Sequence, residues 1–125
     1  MRKLKATEVA GIRSAQLVAQ GGKCALCGLP LTPTNARLDH DHSTGAVRGT
    51  LHNGCNALLG KVENNAARFG LKSIPAFGHG LGAYIAKHQT NITGLIHPTH
   101  KTEEEKRLAR NAKARKARAT KKGTA

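Results

Sequence analysis

Residues 7–20, TEVAGIRSAQLVAQ, place Val9, Ile12, Leu17 and Val18 at helical spacing, with Thr7 as N-cap and Gly21-Gly22 as the stop, and so predict a short helix. In KCALCGLPLT the C-x-x-C turn is followed by Gly28, Pro30 and Pro33, which suits a knuckle at the tip of a tight hairpin. Two short runs, ARLDHDHS (36–43) and AVRGTLH (46–52), flank Ser43-Thr44-Gly45 and predict a β-hairpin. Next, NGCNALLGKVENNAARFG carries Ala57, Leu58, Val62 and Phe69 on one face, giving an amphipathic helix that stops at Gly70. Residues 71–94 are poor in charge and rich in glycine, with one more helix expected around 81–88. Beyond Pro98 the pattern changes, for no large apolar residue follows Leu108. Alanine, lysine and arginine all favour helix there, and Glu103, Glu104 and Glu105 sit where a helix N-terminus prefers negative charge. With nothing to bury, that segment is expected to be helical when bound and mobile when free. The expected organisation is one small domain, residues 1–96 with its core at about 19–70, followed by a basic arm, residues 97–125.

Composition changes this picture in one respect, the source of stability. Phe69, Phe77 and Tyr84 are the only aromatic residues in 125, so a core built from this chain is small and calls for support such as a bound metal. There are three cysteines, Cys24, Cys27 and Cys55, and an odd number argues against a closed disulfide framework. No apolar run approaches the roughly 18 to 20 residues of a membrane span, and no apolar stretch follows the basic start MRKLK. The expectation is an intracellular protein with no membrane partner, whose closely spaced thiols hold zinc. Lysine and arginine number 21 against seven acids, a net charge of +14 that favours nucleic acid as partner. So few aromatics offer little stacking for unpaired bases, which points to duplex or backbone binding.

Structural zinc takes four N or S ligands, commonly as two close pairs. Cys24-x-x-Cys27 is the first pair, and His52-x-x-Cys55, at the start of the predicted helix, is the second. The interval between them is long enough for the hairpin, so a histidine resolves the odd cysteine count. This set describes a treble-clef-like knuckle in an α+β fold.

That assignment leaves a second polar cluster, Asp39, His40, Asp41, His42 and Asn56, with no apolar residue between Leu38 and the turn. Phosphodiester hydrolysis needs a nucleophile made from water and counter-charge for the phosphorane. A carboxylate and an amide oxygen are hard ligands for Mg²⁺ or Mn²⁺, and a neutral imidazole accepts a proton near pH 7. Asp39, Asn56 and His40 supply one of each.

The segment LDHDHSTGAVRGTLHNGCN, with CALCG before it and ALLG after it, resembles the phage recombination endonuclease VII family of HNH, or ββα-metal, nucleases. The resemblance runs from about Ala19 to Gly60. It implies a zinc knuckle supporting a hairpin–helix site that cuts DNA with a divalent cation, in the host cytoplasm if the chain is phage-encoded. Carried over, Asp39 and Asn56 hold the cation, His40 is the general base, and His42 lies close by to orient phosphate or assist proton transfer. Two departures stand out. The second zinc pair is His52-x-x-Cys55 where the best-known member of the family has Cys-x-x-Cys, and Gly60 occupies the position of a further histidine found in many HNH enzymes.

The plainer readings are specific. His40 could be a hydrogen-bonded structural histidine, Asn56 a helix cap, and Arg48 either a bidentate phosphate ligand or a surface arginine. Asp41 is expected to support the hairpin and Glu63 to be a solvated helix carboxylate. In the tail, Lys113, Arg115, Lys116 and Arg118 are expected to contact phosphate without base readout, the alternative being a solvated charge run. The leading expectation is a metal-dependent DNA endonuclease that nicks duplex or resolves branched DNA, with a homodimer left open. The competing one is a non-catalytic, zinc-dependent DNA-binding module.

Overall fold

The computed structural model describes residues 1–123, in the order α1 (Val9–Ala19), β1 (Ala36–His40), β2 (Val47–His52), α2 (Asn53–Asn65), α3 (Ile74–Lys87) and α4 (Glu103–Gly123). The result is mixed helix and one small two-stranded sheet. The chain forms two compact units, Met1–Leu81 and Gly82 onward, with the boundary inside α3. Among the described residues no helix is long and apolar enough to cross a membrane.

The first helix is present, but Thr7 does not cap it. Ala6–Glu8 form a 3₁₀ turn ahead of α1, and the Glu8 carboxylate reaches back to accept the Lys5 N–H at 2.7 Å while pairing with Arg2 at 2.9 Å. The stop is as expected: Gly21 and Gly22 both take positive φ, and the Gly22 N–H donates to the Leu17 carbonyl at 2.9 Å. Leu17 is thereby held inward and buried, whereas Val18 points out.

The knuckle follows directly. Lys23 and Pro30 form a β-bridge, the Cys24 N–H donates to the Leu29 carbonyl and the Gly28 N–H to the Cys24 carbonyl, both at 2.9 Å. Gly28 sits at φ +75°, where a side chain is strained.

β1 and β2 pair antiparallel as the hairpin pattern predicts, yet β1 ends at His40 and does not run on to Ser43. Asp41 takes over there. Its Oδ1 accepts the Ser43 N–H at 2.8 Å, the Ser43 hydroxyl at 2.6 Å and the Thr44 N–H at 3.2 Å, which turns the chain. The expectation that Asp41 supports the hairpin holds, and these donors keep its carboxyl below the ordinary carboxylate range.

The core is small: Leu17, Leu31, Ala36, Leu51 and Cys24, with Cys55 and Leu59 packed against it. Here the expected face of α2 is corrected. Leu58 and Phe69 are exposed, and α2 ends at Asn65, four residues before Phe69. Cys55 fixes which side looks inward, and Leu59, one turn on, shares that side. α3 is longer than expected because Ser73 starts it, its Oγ accepting the Ala76 N–H at 3.2 Å. In α4 the Thr102 Oγ1 accepts the Glu105 N–H, and Glu103 and Glu104 pair with Lys106 and Arg107 one turn later.

Thr50, fully buried in β2, joins α1, the knuckle and the sheet. Its hydroxyl donates to the Arg13 carbonyl at 3.1 Å, and its carbonyl accepts the Ala25 N–H at 3.1 Å. The Gln20 side chain completes the set: Oε1 accepts the Thr50 N–H and Nε2 donates to the Thr50 carbonyl, both at 2.9 Å. A side-chain amide thus does what a third strand would do at this sheet edge. Gln20→Ala leaves the buried Thr50 N–H unpaired and is expected to cost about 1–3 kcal/mol, measured as a lower denaturation midpoint of the zinc-loaded protein. An unchanged midpoint contradicts this account of the edge.

Candidate metal centres

Cys24 and Cys27 come from the knuckle, His52 from the end of β2 and Cys55 from the first turn of α2. Their ligand atoms all lie within 4.8 Å of one another. His52 Nδ1 is 3.3 Å from Cys27 Sγ and 3.8 Å from Cys55 Sγ. A tetrahedral zinc site with ordinary bond lengths separates its ligand atoms by roughly 3.5–3.8 Å, so the four fit one ion. The other imidazole nitrogen settles the tautomer. His52 Nε2 lies 2.8 Å from the Pro30 carbonyl, which can only accept, so Nε2 carries the proton and Nδ1 presents its lone pair to the thiols.

The thiols are unequal. Burial opposes ionisation of Cys24, but the N–H groups of Cys27, His52 and Leu26 directed at its sulfur bring it down to about 6. Burial, together with Cys27 and Cys24, pushes Cys55 up to about 11. A cluster that resists losing its last proton without a cation is the chemistry of a zinc site.

The second cluster is arranged differently from a simple pocket. Asp39 is 6% exposed, and Arg48 engages it bidentately, Nε to Oδ2 at 2.7 Å and Nη2 to Oδ1 at 3.1 Å. The same guanidinium reaches Glu63 on α2, Nη1 to Oε2 at 2.9 Å and Nη2 to Oε1 at 2.8 Å. Glu63 is therefore an ion-paired residue and not the solvated carboxylate expected. Glu63 and Asp39 raise Arg48 above its usual range, and Arg48 lowers Glu63.

The sheet register explains how Arg48 gets there. Asp39 pairs with Gly49 and His40 with Val47, so Arg48 is an extra residue with no partner in β1. In a regular ladder Arg48 would lie opposite His40 and face away from Asp39. A bulge of this kind re-aims a side chain.

His40 is exposed, and its ring centroid is 4.9 Å from that of His42, so the structure brings these two together. Asp39 borders a hollow with Ala25, Leu26 and Arg48, whereas His40 borders another with Leu38, Val47 and the N-terminal residues. Asn56 lies inside α2, too far from its start to cap it, and no protein group among the described residues engages its amide. Asn56 and Glu63 are seven residues apart, two helical turns, and so share the face of α2 that meets Arg48. Gly60 lies between them on that face, where an added Cβ would meet nothing within 4 Å. Lys113, Arg115, Lys116 and Arg118 are all exposed on α4.

Gln20, Thr50 and the ion-pairing role of Glu63 are the site-building features that the sequence does not reveal. Gln20 stands directly before the Gly21-Gly22 stop and the first zinc pair, which is a weak signal of a structural role. Glu63 had a better one, its spacing from Asn56. In comparison with known proteins, residues 2–74 match the family model described as recombination endonuclease VII.

Proposed function

The chain belongs to the recombination endonuclease VII family, whose model covers more than half of it, and on that premise we propose that it is a metal-dependent DNA endonuclease with an HNH active site. The observation that supports the reading best is the Arg48 guanidinium tying Asp39 of β1 to Glu63 of α2, in the same hairpin–helix unit as a Cys/His cluster that could hold zinc. The proposed domain is residues 1–96, a treble-clef-like knuckle with a ββα-metal core, with residues 97–125 as a basic arm.

Asp39 and Asn56 would hold the catalytic cation, a carboxylate and an amide oxygen being suited to Mg²⁺ or Mn²⁺. When bound, the cation supplies positive charge to the phosphate and to the departing 3′ oxygen. His40 takes the proton from the attacking water as its oxygen bonds to phosphorus and the bond to the 3′ oxygen breaks. His42, against the His40 ring, orients it or the phosphate. The bulge at Arg48 brings a bidentate cation to the same face as Asp39, where phosphate would lie. On α4, Lys113, Arg115, Lys116 and Arg118 neutralise DNA backbone without reading bases.

The test is a cleavage assay of the zinc-loaded protein on supercoiled plasmid, linear duplex and a four-way junction. Cleavage of at least one substrate in Mg²⁺ or Mn²⁺, and none in their absence, is expected. Nicked circles alone favour a monomeric nickase, and paired cuts across the junction require a dimer. Zinc-dependent binding with no cleavage of any substrate would leave a non-catalytic DNA-binding module.

A further inference from the structure

Arg48 spends four of its five N–H donors on two carboxylates. Both oxygens of this buried carboxylate already accept from Arg48, so a cation that binds Asp39 competes with the guanidinium for its negative charge. What happens to Arg48 next depends on Glu63. This carboxylate belongs to α2, is anchored independently of the hairpin, and already holds two of the Arg48 nitrogens. The bulge leaves Arg48 unpaired in the ladder, so its side chain can shift without breaking the strand register.

We propose that Glu63 is a positioning residue that receives Arg48 when a divalent cation takes Asp39, so that cation loading and delivery of the arginine to substrate phosphate are one exchange. The inference rests on the nuclease reading above for the role of Asp39. In the metal-free protein Arg48 closes Asp39 and neutralises a buried carboxylate. With a cation on Asp39, Glu63 keeps Arg48 beside the site and compensates its charge, leaving the remaining N–H groups for an anion. Without Glu63, Asp39 is the only carboxylate left to Arg48, and the cation must compete with an arginine that has no alternative partner.

This makes a prediction about binding that needs no catalysis. Mn²⁺ is titrated into zinc-loaded protein, with free Mn²⁺ read by its electron paramagnetic resonance signal and zinc content checked at one per chain. Glu63→Gln is expected to weaken Mn²⁺ binding about tenfold and Arg48→Gln to strengthen it several-fold, effects of the size that groups sharing one charge network show. The double variant separates the exchange from simple loss of negative charge. In the Arg48→Gln background, Glu63→Gln is expected to change Mn²⁺ affinity by no more than about twofold, because Glu63 acts through Arg48 and coupled groups are non-additive.

An equal effect of Glu63→Gln in both backgrounds overturns the proposal, as does an Arg48→Gln protein that binds Mn²⁺ no better than wild type. Asp39→Asn distinguishes that failure from failure of the nuclease reading. If Asp39→Asn binds Mn²⁺ as well as wild type does, the cation does not use Asp39, and both fall together. If Asp39→Asn loses Mn²⁺ while Glu63 shows no coupling to Arg48, only the exchange is wrong.

Discussion

Removing zinc with a strong chelator is expected to abolish the cooperative thermal transition of residues in the first compact unit and to lower its helical circular dichroism signal. The reason is arithmetic of burial. Among the described residues three leucines, one alanine and Cys24 make up the buried apolar core, with Cys55, itself one of the four cluster ligands, and Leu59 packed on it. Four ligands from two separated segments, the knuckle and the β2–α2 junction, converge at one point, so the ion closes a loop that the core alone cannot close. In small zinc modules the metal contributes on the order of 10 kcal/mol at neutral pH, comparable with a whole domain's stability. Cys27→Ser is expected to act in the same direction, because it removes a ligand whose side chain is exposed and otherwise packs against little.

The affinity should also depend on acidity in a definite sense. Zinc needs thiolates, so protons compete with it. Cys24, brought down to about 6, is already largely ionised at neutral pH, whereas Cys55, pushed up to about 11, must release a proton when zinc binds. Zinc affinity therefore falls as pH is lowered, with proton release on binding as the accompanying signal. Retention of the full thermal transition after complete zinc removal would contradict this account.

The second large effect is chemical. His40→Ala is expected to lower the cleavage rate by roughly two to four orders of magnitude, the usual span for loss of a general base, with little change in stability. The stability half follows from position: His40 ends β1, is exposed, and touches His42 and not the core. Thermal unfolding of the variant, measured alongside its rate, separates the two. A fall in rate with an unchanged transition supports the assignment, and a rate within a few-fold of wild type removes His40 from the base role.

How far the sequence reveals this arrangement depends on what sort of information each residue carries. The zinc ligands are legible because the metal imposes its own spacing: two pairs, three residues apart within each, at chain turns. The Gly21-Gly22 and Ser43-Thr44-Gly45 punctuation is legible for a similar reason, being local backbone chemistry. Phe69 misleads because helical periodicity assumes one continuous helix, and α2 stops at Asn65. Thr7 misleads because a residue type that caps well does not reveal that Glu8, one place on, reaches back further.

The Arg48 network lies beyond local pattern altogether. It requires a one-residue bulge, which periodicity cannot show, since an alternating strand with and without the bulge reads the same until the partner register is known. Gln20 is invisible for a related reason: its partner Thr50 is 30 residues away, and nothing in either residue's neighbourhood points to the other. Metal ligands and turns are written in short motifs, whereas the groups that tune them are found only once the chain is folded.

The measurement that bears most directly on the central claim is conversion of supercoiled plasmid by zinc-loaded, folded protein with and without Mg²⁺ or Mn²⁺, wild type beside Asp39→Asn. The account predicts nicked or linear product from the wild type only when the divalent cation is present, and none from Asp39→Asn under the same conditions. Plasmid that stays supercoiled in both cations while the wild-type protein binds it, or cleavage that Asp39→Asn performs equally well, would contradict it.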